Sequence, residues 1–162
     1  LVMQEVPSGR GIISFRLGAE GQADPALIIP AGGSRRPASA ETVAAREHYV
    51  RMQGREVYRF AVRVQDEVCE AVLREAGLGP ADVDLFVPHQ ANLRIIEGAA
   101  RRLGIPMERV LVTVDRFANT SSASIPMALA WASEMGRLGA GDLVLLTGFG
   151  AGLTYAGMLL RW

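Results

Sequence analysis

Val87-Pro88-His89-Gln90-Ala91-Asn92 and, thirty residues further on, Asn119-Thr120-Ser121-Ser122 each stand where an apolar strand pattern gives way to a helical one. Apolar runs followed by helical periodicity, repeated along a chain, predict a sheet covered by helices. Ligands of such sheets bind at the carboxyl ends of the strands. An imidazole and a carboxamide are expected together at that edge. Two neutral donors converging on one point suit a developing enolate or oxyanion.

Outward from this pair the periodicity is strong. Val57, Ala61, Val64, Val68 and Val72 recur at spacings of three and four, which predicts a helix over 55–76. Gly77 ends it. A short buried strand is expected at 84–87. Leu93, Ile96, Ala100 and Leu103 predict a helix over 90–103, with Gly104 behind it. A Val-rich strand follows at 109–114. A helix of small residues comes next at 121–135, with Pro126 near its first turn, where proline is tolerated. An apolar strand at 142–147, the glycine loop 148–152 and a last strand at 153–160 close the chain. Nearer the start, 1–6 and 12–17 read as strands and 27–29 as a short apolar run. Residues 31–53 lack periodicity and form a long excursion, the kind used for lids, binding loops and interfaces. The expected class is therefore α/β: a mixed, mostly parallel five-stranded sheet covered by helices, with an antiparallel end at the glycine loop.

The chain has 162 residues, one domain's worth. Its 17 basic and 17 acidic residues balance, which gives no reason to expect nucleic acid or a membrane surface as partner. One cysteine, Cys69, excludes an internal disulfide framework and fits a reducing, cytoplasmic setting. No apolar run is long enough to span a bilayer. Residues 1–6 carry neither an initiator Met nor a signal-peptide pattern, so residue 1 is expected not to be the natural start.

Each candidate has a bland reading. His89 alone is more often structural, and Asn119 alone reads as a helix cap. The Gly148-Phe149-Gly150-Ala151-Gly152 loop reads as a tight turn. Its spacing, and the strand after it, do not fit a dinucleotide fingerprint. P-loop, nucleophile-elbow and metal-ligand spacings are missing. Cys69 falls near the apolar side of a long helix and reads as an inert core thiol. His48 has no evident companion.

Together the segments resemble the C-terminal half of β-ketoacyl-acyl-carrier-protein synthase III, in the thiolase superfamily. The resemblance runs through Met52-Gln53-Gly54-Arg55-Glu56-Val57-Tyr58, Val87-Pro88-His89-Gln90-Ala91-Asn92-Leu93-Arg94-Ile95-Ile96 and Asp115-Arg116-Phe117-Ala118-Asn119-Thr120-Ser121. It continues in Gly136-Arg137 and Gly148-Phe149-Gly150-Ala151-Gly152-Leu153-Thr154. The resemblance implies a thiolase-like fold and a decarboxylative Claisen condensation of an acyl-coenzyme A, acetyl-coenzyme A above all, with malonyl-acyl carrier protein. That reaction initiates fatty acid synthesis. His89 and Asn119 match the catalytic donors to the malonyl thioester oxygen, and Ala151 the backbone N–H of the oxyanion hole. Gly54, Tyr58, Ala91 and Asn92 match positions lining the coenzyme A/pantetheine tunnel. Arg94, Arg101 and Arg102 match the carrier-protein docking face, which on the residues alone reads equally well as a solvated basic face. No cofactor and no metal is implied beyond the coenzyme A thioester, itself a substrate. A homodimer is implied.

The family's nucleophilic cysteine belongs to an N-terminal half, and Cys69 does not match it. Residues 1–8 are expected to be the tail of that half's last strand, and 9–162 the C-terminal domain. The missing half is therefore an expected partner, covering an apolar face that this half alone would expose. Ala118 stands where relatives often have glycine. Ala151 replaces the middle glycine of a Gly-Gly-Gly, and is expected to be strained if that position needs a positive φ. Three alternatives stand beside the synthase. One is a non-catalytic fragment or binding module for coenzyme A or carrier protein. Another is half of a chalcone-type polyketide synthase, which shares the His/Asn pair. The third is a thiolase or hydroxymethylglutaryl synthase, of which a biosynthetic thiolase would need a second cysteine near the C-terminus.

Overall fold

A computed structural model describes residues 4–21 and 26–162 of the chain. The apolar run before the histidine forms β4 (Leu85–Pro88), with all four residues buried. It pairs in parallel with β5 (Leu143–Gly150), and β5 pairs antiparallel with β6 (Thr154–Arg161). The edge strand β1 (Gly11–Ala19) pairs antiparallel with β6, which gives the order β1-β6-β5-β4.

Side chains alternate along each strand, and over β4 and β5 both faces are covered, whereas the edge strand β1 is largely exposed, with Ile12, Phe15 and Leu17 open on it. Phe86, Leu145 and Leu159 pack under α2 (Gly54–Glu75) and α3 (Leu93–Leu103). Leu85, Val87 and Val144 pack under α5 (Ser124–Glu134), whose Ala128 and Ala132 let it lie close. On the α2 side, a Cβ at Gly157 of β6 would sit 2.9 Å from a Val68 methyl, so this crossing requires glycine. The valine stripe of α2 is buried as its spacing predicts. The helix ends in a Schellman motif. Gly77 takes φ 69°, its N–H donates to Arg74 O at 3.1 Å, and the Leu78 N–H donates to Leu73 O at 3.0 Å.

The α/β class and the mixed sheet hold, but two features of the expected sheet are corrected. Among the described residues it has four strands, not five, and one parallel pairing against two antiparallel ones. Of the strand expected at 109–114, only Val110 bridges to Phe86, with the Leu111 N–H donating to Phe86 O at 2.8 Å. Beyond it a side chain takes the place of a strand partner. Gln90 Oε1 accepts the N–H groups of Thr113 (2.7 Å) and Val114 (3.1 Å), and the chain coils into α4 (Val114–Phe117). The α3 helix begins three residues later than predicted because Asn92 caps it, Oδ1 accepting the Arg94 N–H at 2.8 Å. The 121–135 helix opens as a 3-10 turn, Ser121–Ala123. The strand before the glycine loop runs on to Gly150 and leaves only Ala151–Leu153 to turn.

The aperiodic stretch 31–53 is ordered. It holds α1 (Ala40–Ala44), capped reciprocally by Ser39 and Thr42, and β3 (Arg51–Met52), which pairs with β2 (Leu27–Ile28). His48 does have a companion, Thr42, with Nε2 2.9 Å from Oγ1. Of the strand expected at 1–6, residues 1–3 lie outside the described residues and 4–6 form no regular element. Among the described residues, no helix is long and apolar enough to cross a membrane.

Candidate active site

His89 follows directly on β4, and its N–H donates to Thr147 O at 2.7 Å, extending the parallel pairing by one step. The half-buried ring stands edge-on to Phe149, with centroids 5.4 Å apart. Its Nδ1 lies 2.6 Å from the Ser124 hydroxyl. Burial lowers the pKa of the ring, because a cation loses hydration there. Burial thus favours the neutral imidazole.

Gln90 organises the site's backbone. Its side chain is fully buried and satisfies all four of its hydrogen-bonding positions. Nε2 donates to Pro88 O (2.8 Å) and Leu111 O (3.0 Å), while Oε1 accepts from Thr113 and Val114. One carboxamide thus fixes the end of β4 against the segment that leads to Asn119. Sequence reasoning missed this role. Nothing in its sequence surroundings, His89, Ala91 and Asn92, marks Gln90 as buried.

Asn119 follows Ala118, which takes φ 56°, ψ −164°, a region essentially reserved for glycine. Ser121 also has a positive φ, 56°. This tight path lets the Ser121 N–H donate to Asn119 Oδ1 at 3.0 Å. Asn119 closes this turn rather than capping α5, which begins five residues later. The oxygen is thus engaged at the turn, and the Nδ2 group has no hydrogen-bond partner among the described residues.

His89, Asn119 and Ala151 line one cavity of about 1130 Å³. Gly54, Tyr58, Ala91 and Asn92 line the same cavity, so seven of the ten expected site residues converge. The other three, Arg94, Arg101 and Arg102, are exposed on α3 and do not line it. Arg102 is tied to α2, its Nε donating to Asp66 Oδ2 at 2.9 Å and its Nη2 lying 2.8 Å from the same oxygen as an ion pair. Part of the wall comes from β2 and β3, through Leu27, Ile28 and Met52. Periodicity gave no hint of those residues.

The expected strain at Ala151 is absent. The positive φ angles fall on the next two residues, Gly152 (73°) and Leu153 (48°). Cys69 is fully buried on α2, and burial raises its pKa far above the ordinary thiol range, so it is unreactive. Among the described residues there is no group of three or more His, Cys, Asp or Glu that could hold a metal ion.

Residues 73–162 match the family described as "3-Oxoacyl-[acyl-carrier-protein (ACP)] synthase III C terminal". The chain is 56% identical over 161 residues to the beta-ketoacyl-[acyl-carrier-protein] synthase III of Symbiobacterium thermophilum, covering 99% of this chain and 49% of that protein. The crystal structure of the Thermus thermophilus synthase III superposes with a TM-score of 0.84 at 47% identity, over 98% of this chain and 48% of that one. The Pseudomonas aeruginosa 3-oxoacyl-(acyl carrier protein) synthase III superposes with a TM-score of 0.86 at 35% identity, over 98% and 47%. The chain spans about half the length of the curated relatives it matches.

Proposed function

The chain belongs to the 3-oxoacyl-[acyl-carrier-protein] synthase III family, and we propose that it is the C-terminal, donor-bearing half of such a synthase. The observation that supports this most is the convergence of two neutral donors on one cavity. His89 has its Nδ1 engaged by Ser124, and Asn119 has its Oδ1 engaged by the Ser121 N–H.

The proposed reaction starts with an acyl group, acetyl above all, transferred from coenzyme A to a thiolate. Malonyl carried on acyl carrier protein then loses its carboxylate as carbon dioxide. The electron pair of the broken C–C bond becomes an enolate, whose carbon attacks the acyl thioester. Collapse of the tetrahedral intermediate releases the thiolate and the β-ketoacyl product. His89 and Asn119 donate to the malonyl thioester oxygen, where charge appears only along the reaction path, so they stabilise the transition state more than the ground state. The Ala151 N–H serves the oxyanion of the acyl intermediate. Gly54, Tyr58, Ala91 and Asn92 flank the pantetheine arm. Arg94, Arg101 and Arg102 face the acidic carrier protein, Arg102 with its charge partly satisfied by Asp66.

Cys69 cannot be the acyl acceptor, being fully buried and held protonated by that burial. The nucleophile then comes from the cysteine-bearing half, and these 162 residues by themselves do not condense. The complete enzyme is proposed as a cytoplasmic homodimer that needs no metal. His89→Ala in the complete enzyme tests the reading. Malonyl decarboxylation should fall about 10²–10³-fold while acyl loading of the cysteine persists; equal loss of both removes the assigned role. Arg94→Glu should raise KM for the carrier-protein substrate and leave that for acetyl-coenzyme A unchanged. An unchanged carrier KM returns Arg94 to a solvated face.

A further inference from the structure

We infer that the Ser124 hydroxyl sets the tautomer of His89, holding the ring proton on Nε2. The proton assignment stands on hydrogen-bond accounting; only its catalytic consequence rests on the proposed condensation.

Ser124 is 2% exposed, so its hydroxyl must find its partners inside the protein. Two groups reach it. The Gln90 N–H approaches Oγ at 3.3 Å, and His89 Nδ1 lies at 2.6 Å. A backbone N–H can only donate, so Gln90 occupies one of the oxygen's acceptor positions. The hydroxyl hydrogen then has the imidazole nitrogen as its acceptor. With the O–H donating to Nδ1, all three groups are satisfied and the ring's own proton sits on Nε2. In the reverse arrangement Nδ1–H donates to Oγ. The oxygen then accepts twice, and its own hydrogen is buried beside two donors with nothing to receive it. A buried orphaned donor disfavours that tautomer by about tenfold or more. Ser124 thus acts through His89 as a positioning residue. It turns an imidazole that could present either a lone pair or a proton into one that presents a proton.

The sequence carries a trace of this. Ser124 opens α5 at the end of Ser121-Ser122-Ala123-Ser124, where a serine would be read as helix-start chemistry. Its hydroxyl instead reaches across to the residue after β4, 35 positions away.

Long-range ¹H–¹⁵N spectra of the protein with ¹⁵N-labelled histidine test the inference at pH about 8. His48→Gln, remote in sequence, leaves His89 as the single imidazole and so assigns the signals. The wild-type ring should show a pyridine-type Nδ1 and a pyrrole-type Nε2. Ser124→Ala should mix the two tautomers, and Ser124→Thr, which keeps the hydroxyl, should restore one. In the complete enzyme, malonyl decarboxylation should fall with the first variant and recover with the second. A pyrrole-type Nδ1 in the wild-type ring overturns the inference, and so does a pure Nε2–H tautomer that survives Ser124→Ala. Should the alanine variant not fold, the wild-type spectrum and the threonine variant still decide where the proton sits. A tautomer that shifts without loss of decarboxylation upholds Ser124's role and instead removes His89 as the enolate donor.

Discussion

Ala118→Gly should stabilise this protein, against the usual sense of an alanine-to-glycine change. Ala118 sits at φ 56°, ψ −164°, a region where a non-glycine residue stores about 1–3 kcal/mol of strain. Glycine removes that strain. It also widens the unfolded ensemble, which costs about 0.4–1 kcal/mol. The balance is a gain of up to about 2.6 kcal/mol, with a loss outside the range. In a 162-residue chain each kcal/mol moves Tm by about 2–4 °C, so the midpoint should rise, by up to about 10 °C. Circular-dichroism melting of the two proteins side by side, with urea titration to give the free energy, measures it. A Tm that falls, or a urea midpoint that shifts downward with m unchanged, refutes the reasoning. It would mean that Ala118 is not held in the strained region. The site gives the strain its place: the turn that twists Ala118 is the one that brings the Ser121 N–H onto Asn119 Oδ1.

Gln90→Glu should be costly although it is nearly isosteric. A carboxylate keeps the contacts to Thr113 and Val114 but cannot donate to Pro88 O and Leu111 O, and two orphaned buried carbonyls cost about 1–3 kcal/mol each. A urea-derived loss below about 0.5 kcal/mol, typical of a surface change, would show that the carboxamide is not the tie described. His89 should also make stability depend on pH. Burial sets its folded pKa below the unfolded value of about 6.5. Between those two values the unfolded chain binds the proton and the folded one does not, so stability should decline as pH falls through that window, and level off below the folded pKa. His89→Gln should flatten that decline in melting curves between about pH 7 and pH 5; an unaltered slope would show that the folded ring titrates normally.

Much of the fold was legible because one periodicity at a time was being read. The valines of α2 recur every three or four residues and are buried on that account. β4 and the first half of β5, Leu143 to Leu146, are apolar throughout because helices lie on both faces. The count of strands failed at 109–114 for a reason no local pattern contains. A valine-rich segment there loses its strand partner to the side chain of Gln90, 23 residues earlier. Of the two residues expected together on a strand edge, His89 does follow the apolar run of β4, while Asn119 lines the same cavity from behind α4, not from the end of a strand. What holds them was not legible. Ser124 and Gln90 act over 35 and 21–24 residues of separation, and a serine in a small-residue helix looks the same whether or not its hydroxyl meets an imidazole. The wall from β2 and β3 was hidden in a stretch whose strands are two residues each, too short to show any period.

An asparagine can turn its oxygen or its nitrogen toward a ligand, and a neutral histidine its lone pair or its proton. Of the four combinations only one offers two donors, and the enolate of the proposed condensation would be repelled by either acceptor. In this chain both choices are made within one short stretch. The Ser121 N–H claims the oxygen of Asn119, and the Ser124 hydroxyl faces Nδ1 of His89. The turn at the head of α5 therefore carries the polarity of the site, while β4 and Gln90 carry its position. Under the proposed condensation, donors held by the folded backbone and by a buried hydroxyl would need no reorientation as charge develops, which is the condition under which fixed dipoles lower a barrier most. A site assembled from the same two side chains on mobile loops would hold the same chemistry and lack that advantage.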